Sequence, residues 1–108
     1  MQSLLAIADP TRRRIVELLA ERDRTSGELV KEFDVSAPAI SQHLKVLRDA
    51  GLISTRARGQ QRIQSLNPDG FDELGAWMDR MREFWSNRLD ALERELKADD
   101  EKRKKNKP

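Results

Sequence analysis

The chain has 108 residues, enough for one domain with a core of moderate size. Charged and apolar residues each make up 37%, and the formal net charge is +2. With no cysteine and one histidine, the composition excludes disulfides, zinc–thiolate sites and thiol redox chemistry, and it argues against a transition-metal site. No apolar run approaches the roughly 18 residues that span a bilayer. The start MQSLLAIADP lacks the basic region of a signal peptide, so a cytoplasmic protein is expected.

Residues Ser3 to Ala8 read as a short apolar helix carrying Leu4, Leu5 and Ile7. Asp9-Pro10 punctuates it. Asp9 suits an N-cap, and Pro10 takes the first helical position, where its missing N–H costs nothing. The helix so begun runs to about Glu21, with Ile15, Val16, Leu18 and Leu19 on its buried face. Arg12, Arg13 and Arg14 lie on or beside its solvated side. Thr25-Ser26-Gly27-Glu28 has the form of a capping box and opens a third helix, whose apolar residues are Leu29, Val30 and Phe33. Asp34-Val35 makes a turn, and Ser36 caps a fourth helix. That helix starts at Ala37-Pro38 and ends at Gly51, a residue suited to the left-handed conformation beyond a helix end. On it Ile40, Leu44 and Leu47 form one stripe. Pro38, Ser41, Gln42, Lys45 and Asp49 lie opposite, with Arg48 at one edge and His43 at the other.

Leu52 to Ala57 and Gln61 to Leu66 read as the strands of a hairpin turned at Arg58-Gly59-Gln60. Asn67-Pro68 repeats the signal of a cap followed by proline, and a long helix follows over about 68–98. Phe71, Leu74, Met78, Met81, Trp85, Leu89, Leu92 and Leu96 approach a heptad seam along it, widened by Trp77 and Phe84. So small a domain cannot cover such a stripe. A homodimer is therefore expected, joined through Leu74, Met78, Met81, Trp85, Leu89 and Leu92 together with Leu4 and Leu5. The folded domain is expected over 1–98, and 99–108, with five Lys and Arg, as a disordered basic tail.

Helix, turn, helix and an arginine-bearing hairpin make a grip for double-stranded DNA. Residues 36–66 carry Lys45, Arg48, Arg56, Arg58 and Arg62 against Asp49 alone, so positive charge gathers where a polyanion would dock. Gln42 can pair with an adenine edge, Lys45 can donate to guanine, and Ser41 suits base or phosphate. Ser36 and Pro38 open this helix, whose free N–H groups suit a phosphate. His43 either donates to the nucleic acid or packs against a neighbouring helix. At the hairpin, Arg56, Arg58 and Arg62, with Gln60 and Gln61 between them, suit phosphate forks and a narrow minor groove.

The runs ADPTRRRIVELL, SAPAISQHLKVLRDAGLI and RARGQQR resemble the ArsR/SmtB-type winged-helix repressors, with a similarity that covers about residues 3–95. The resemblance implies a mainly α winged helix-turn-helix fold with a small β-hairpin. It also implies dimerisation through the N- and C-terminal helices, palindromic operators and, in many members, release by a metal or another inducer. The family's metal sites do not carry over. The helix before the recognition helix has Leu29-Val30-Lys31-Glu32-Phe33 where one such site has its cysteines. The last helix offers Asp72, Glu73, Asp79, Glu83, Asp90 and Glu93 but no histidine. No metal or cofactor is expected, and the effector stays open. An enzyme is not expected: the chain has no tyrosine, no cysteine and no phosphate-binding glycine loop. Two other uses of the fold stay open, a protein-interaction module and a sequence-neutral DNA binder. The polar exposed face of residues 37–50 speaks against the first.

Overall fold

The structure, a computed structural model, describes residues 1–105. In chain order the elements are α1 (Gln2–Ala8), α2 (Pro10–Glu21), β1 (Arg24–Thr25), α3 (Ser26–Glu32), α4 (Ala37–Asp49), β2 (Ile53–Arg58), β3 (Gln61–Leu66), a 3₁₀ turn (Pro68–Phe71) and α5 (Asp72–Lys105). Three side-chain caps set the starts of the early helices. Asp9 Oδ2 accepts from the Arg12 N–H at 3.0 Å, and Ser36 Oγ from the Ala39 N–H at 3.2 Å. Thr25 and Glu28 close the capping box in both directions, at 3.1 and 3.3 Å. The end of α4 is equally local. Gly51 adopts φ 77°, its N–H donates to the Arg48 carbonyl at 2.9 Å, and the Leu52 N–H donates to the Leu47 carbonyl at 3.0 Å. This is the Schellman arrangement, and Leu47 and Leu52 are both fully buried beside it.

The chain divides into two units, Met1–Leu74 and a second that begins at Gly75. The core of the first joins Ile15, Leu18 and Leu19 of α2, Leu29 of α3, Ile40, Leu44 and Leu47 of α4, and Leu52 and Ile53 at the start of the hairpin. Each such side chain contributes roughly 1.5–3 kcal/mol through burial. The expected hairpin is one part of a three-stranded antiparallel sheet in the order β1-β3-β2. Thr25 and Arg24 pair with Ile63 and Gln64, and Ile53↔Leu66 to Arg58↔Gln61 pair across the hairpin. The strands thus reach Arg58 and resume at Gln61, one residue further into the turn than expected. Alternation puts Arg24, Thr55, Arg62, Gln64 and Leu66 on one face and Arg56, Ile63 and Ser65 on the other.

Beyond the hairpin the chain folds back on the end of α4. Asn67 Nδ2 donates to the Gly51 carbonyl at 2.9 Å, and the Asn67 N–H to the Leu52 carbonyl at 2.9 Å. Gly70 packs so closely there that a Cβ would stand 1.8 Å from the Gly51 oxygen. The 3₁₀ turn occupies the residues expected to begin the long helix, which instead starts at Asp72. Leu74 is 3% exposed and belongs to the core of its own chain, not to a surface left for a partner.

In the second unit α5 continues to Lys105, past the boundary expected at Ala98. The reason is local: Asp99 and Asp100 stand four residues before Arg103 and Lys104, a spacing that supports a helix. The basic residues also fall at its C-terminal end, where the helix dipole favours cations. Residues 106–108 of the expected tail lie outside the described residues. Trp85 and Leu89 are 60% and 61% exposed, and Met78, Leu92 and Leu96 are exposed as well. Phe84 meets Trp85 edge to face at 5.6 Å, and the Arg88 guanidinium lies 5.2 Å from the Phe84 ring centre. Among the described residues no helix is long and apolar enough to cross a membrane.

Candidate nucleic-acid interface

Helix α4 buries Ile40, Leu44 and Leu47 and turns Pro38, Ser41, Gln42, Lys45 and Arg48 to the surface. Ser36 is exposed, but its hydroxyl already serves as the cap of this helix. Lys45 Nζ donates to Asp49 Oδ2 at 2.7 Å, and this bond holds the Asp49 carboxyl below its ordinary value. The exposed face therefore carries a fixed anion near its C-terminal end. Arg48 leans toward the hairpin, with Nη1 3.4 Å from Thr55 Oγ1.

His43 stands apart from that face. It is half-buried, with Nδ1 3.3 Å from Arg12 Nη1 and 3.9 Å from Asp9 Oδ2. Arg12 also donates to the Ala6 carbonyl at 2.6 Å, so one guanidinium joins the end of α1 to α4. The sequence puts Arg12 on or beside the solvated side of α2; the structure half-buries it at this junction.

A polar cleft of about 450 Å³ separates α4 from the wing. Ser26, Gly27, Ser41, Gln60, Gln61 and Arg62 line it. A smaller space of about 80 Å³, lined by Ser26, Ser41, Leu44, Arg48, Arg62 and Gln64, lies beside it. Ser41 and Arg48 of α4 are brought here beside Gln60 and Arg62 of the wing. Arg58 and Arg62 have no side-chain partner among the described residues, so both guanidinium groups are free for an anion. Arg56 is engaged instead. By register it shares with Arg58 the face of the hairpin opposite Arg62, and its Nη1 donates to Asp23 Oδ2 at 3.2 Å and Ser65 Oγ at 3.0 Å.

Sequence reasoning missed three residues at this surface: Ser26, Thr55 and the fully buried Gln64, which hydrogen-bonds to both of the others. The signal for Gln64 was available, since alternation in QRIQSL puts a glutamine on the same face as Leu66. Arg24, also buried, gives one bond to Glu21 at 2.8 Å, while its Nε has no partner among the described residues. Chemically, the exposed amide and ammonium of α4 suit base edges, and the hydroxyls and guanidinium groups of the cleft suit phosphate oxygens.

Residues 9–55 match the family described as "Bacterial regulatory protein, arsR family". Over 84 residues, 78% of this chain and 76% of the relative, the sequence is 46% identical to the HTH-type transcriptional regulator Rv2034 of Mycobacterium tuberculosis. It is 42% identical over 73 residues to the transcriptional repressor SdpR of Bacillus subtilis, covering 68% of this chain and 81% of that one. A crystal structure of a possible transcriptional regulator for arsenical resistance matches with a TM-score of 0.73 and 42% identity, over 85% of this chain and 93% of the other. Sequence and fold agree over most of the chain's length, and that agreement is the ground for the assignment: this protein belongs to the arsR family of bacterial regulatory proteins, DNA-binding transcriptional regulators rather than enzymes.

Proposed function

We propose that this regulator is a repressor that acts as a homodimer on a palindromic operator in the cytoplasm, and that metal is not its signal. The observation that carries the reading is the polar exposed face of α4 beside a wing whose Arg58 and Arg62 are unpaired among the described residues. Gln42 and Lys45 enter the major groove and read bases. Ser41, Arg58 and Arg62 hold the flanking backbone. The homodimer is supported by the exposed apolar residues of α5, Met78, Trp85, Leu89 and Leu92, with Leu4 and Leu5 of α1. Two copies related by a two-fold axis then meet half-sites roughly 34–36 Å apart. The view of the signal rests on donor chemistry. The chain has no cysteine, and its one histidine is engaged by Arg12. Borderline ions thus lack the sulfur and nitrogen ligands they prefer. Lys102, Arg103 and Lys104 near the end of α5 add affinity that is salt-sensitive and indifferent to sequence.

Selection of bound sites from random DNA by the purified protein, followed by footprinting, tests this. The expected result is an imperfect palindrome protected on both half-sites and unaffected by micromolar zinc, cadmium or arsenite. Protection of single asymmetric sites would refute the dimeric reading. Release of the operator by one of these metals would refute the view of the signal.

A further inference from the structure

We propose that Gln64 is a positioning residue for DNA reading, one that fixes the wing to the helix-turn-helix so that Arg62 and the exposed face of α4 meet the duplex at one set spacing. The inference rests on the DNA-reading role proposed above and concerns how that surface is held.

Gln64 is 1% exposed in the middle strand of the sheet, with Thr55 opposite it on β2 and Arg24 on β1. On the same face the hairpin's base is apolar, with Ile53 paired to Leu66. A leucine would fill such a place without desolvating an amide, which is costly unless the amide is bonded. Here both ends are bonded. Nε2 donates to Ser26 Oγ at 3.0 Å, and Oε1 accepts from Thr55 Oγ1 at 2.6 Å. A hydroxyl has one proton to give, and that of Thr55 goes to Gln64, which leaves its oxygen to accept from Arg48 Nη1 at 3.4 Å. The series runs from the first residue of α3 through both strands of the wing to the recognition helix. Apolar packing lets a hairpin tilt or slide, whereas hydrogen bonds depend on direction and fix its angle. Arg62 lies two residues before Gln64 on the same face, and both border the small space next to Ser41 and Arg48. With no side-chain partner among the described residues, Arg62 takes its position from the strand that carries it. Gln64 therefore acts on DNA only through Arg62 and Arg48.

The test is a double-mutant cycle on the operator that the wild type selects. Gln64→Met keeps the length of the side chain and removes both bonds. Thermal melting and light scattering establish that each variant is folded. Gln64→Met is expected to weaken operator binding about fivefold or more, and the cost of Arg62→Ala is expected to shrink by a similar factor in its background, as for coupled neighbours. The slope of log affinity against log salt should fall by about one in Gln64→Met, as it does when a phosphate contact is lost. A loss of stability alone would lower the active fraction without moving that slope. Thr55→Val, which breaks the same series at the surface of the wing, should reproduce the loss, and the pair should lose little more than either alone. Should Gln64→Met fail to fold, Thr55→Val carries the cycle with Arg62→Ala. A folded Gln64→Met with wild-type affinity and salt slope, or an undiminished cost of Arg62→Ala in the altered background, would overturn the assignment. If the wild type selects no site at all, the DNA-reading proposal fails with it. If it selects one, Arg62→Ala weakens it and the coupling is absent, only the role of Gln64 fails.

Discussion

Lys45 presents its ammonium on the exposed face of α4, and Asp49 holds it there at 2.7 Å. Both side chains are more than 60% exposed, so water and salt weaken the pair and a base edge can compete for the lysine. Among the described residues Gln42 has no such rival. Replacing Gln42 or Lys45 by alanine should cost about 1–3 kcal/mol on the operator and relax preference at one base pair per half-site. Arg58→Ala should instead weaken operator and random DNA alike and reduce the salt slope by about one. Titrations of both DNAs at several salt concentrations distinguish the two. Acid should act through the caps. The backbone N–H of Arg12, then the charges of Arg12 and His43, hold the Asp9 carboxyl below its ordinary 3.8. The Arg22 side chain, then the Thr25 backbone, hold Glu28 below 4.5. A depressed carboxylate stabilises the fold fully above its unfolded value and loses that contribution as pH falls through its lower folded value. Stability should therefore decline as pH drops below 4.5. Asp9→Ala should lose about 0.5–2 kcal/mol at neutral pH, as for a missing N-cap, and show a shallower acid decline. Denaturant titrations across the acid range measure both.

At the scale of elements, the connection from the wing to α5 is the tightest join. A Cβ on Gly70 would lie 1.8 Å from the oxygen and 2.6 Å from the carbon of the Gly51 peptide, and no rotamer can relieve a clash between two backbones. Gly70→Ala should cost about 3 kcal/mol or more, at or beyond the upper end of overpacking effects. Gly51→Ala meets open space and a strained φ alone, so its cost should stay near 1–2 kcal/mol. Chemical denaturation of the two variants should rank them in that order. The sequence showed neither this join nor β1. Arg24 and Thr25 are too short a run for any periodicity, and they become a strand because β3 leaves an edge open beside them. The continuation of α5 past Ala98, by contrast, was written in the spacing of Asp99 and Asp100 from Arg103 and Lys104 and was outweighed by their high charge.

For the whole molecule, the apolar side of α5 sets the prediction. Met78, Trp85, Leu89, Leu92 and Leu96 leave far more apolar surface in water than scattered exposed residues would. Light scattering at tens of micromolar should give the mass of two chains. Trp85→Glu should move the protein toward one chain and weaken the operator far more than an isolated half-site, because only the operator needs two linked recognition helices. A monomer mass for the wild type would remove the basis for a palindromic site.

The caps of α2, α3 and α4, the buried stripe of α4 and its glycine terminator were legible in the sequence, because each rests on residues no more than a few positions apart. The same signals, read in order, supplied the polar face that carries Ser41, Gln42 and Lys45. What only the tertiary structure decided is which distant groups meet. Arg12 reaches His43 across 31 positions, Arg56 reaches Asp23 across 33, and Gln64 reaches Ser26 across 38. These pairings engage His43, which helical periodicity left at an edge of α4, and Arg56, which alternation puts on the face opposite Arg62, and they bury Gln64 behind Arg62. Periodicity fixes how a side chain points from its own element. The path of the chain between elements fixes what it points at.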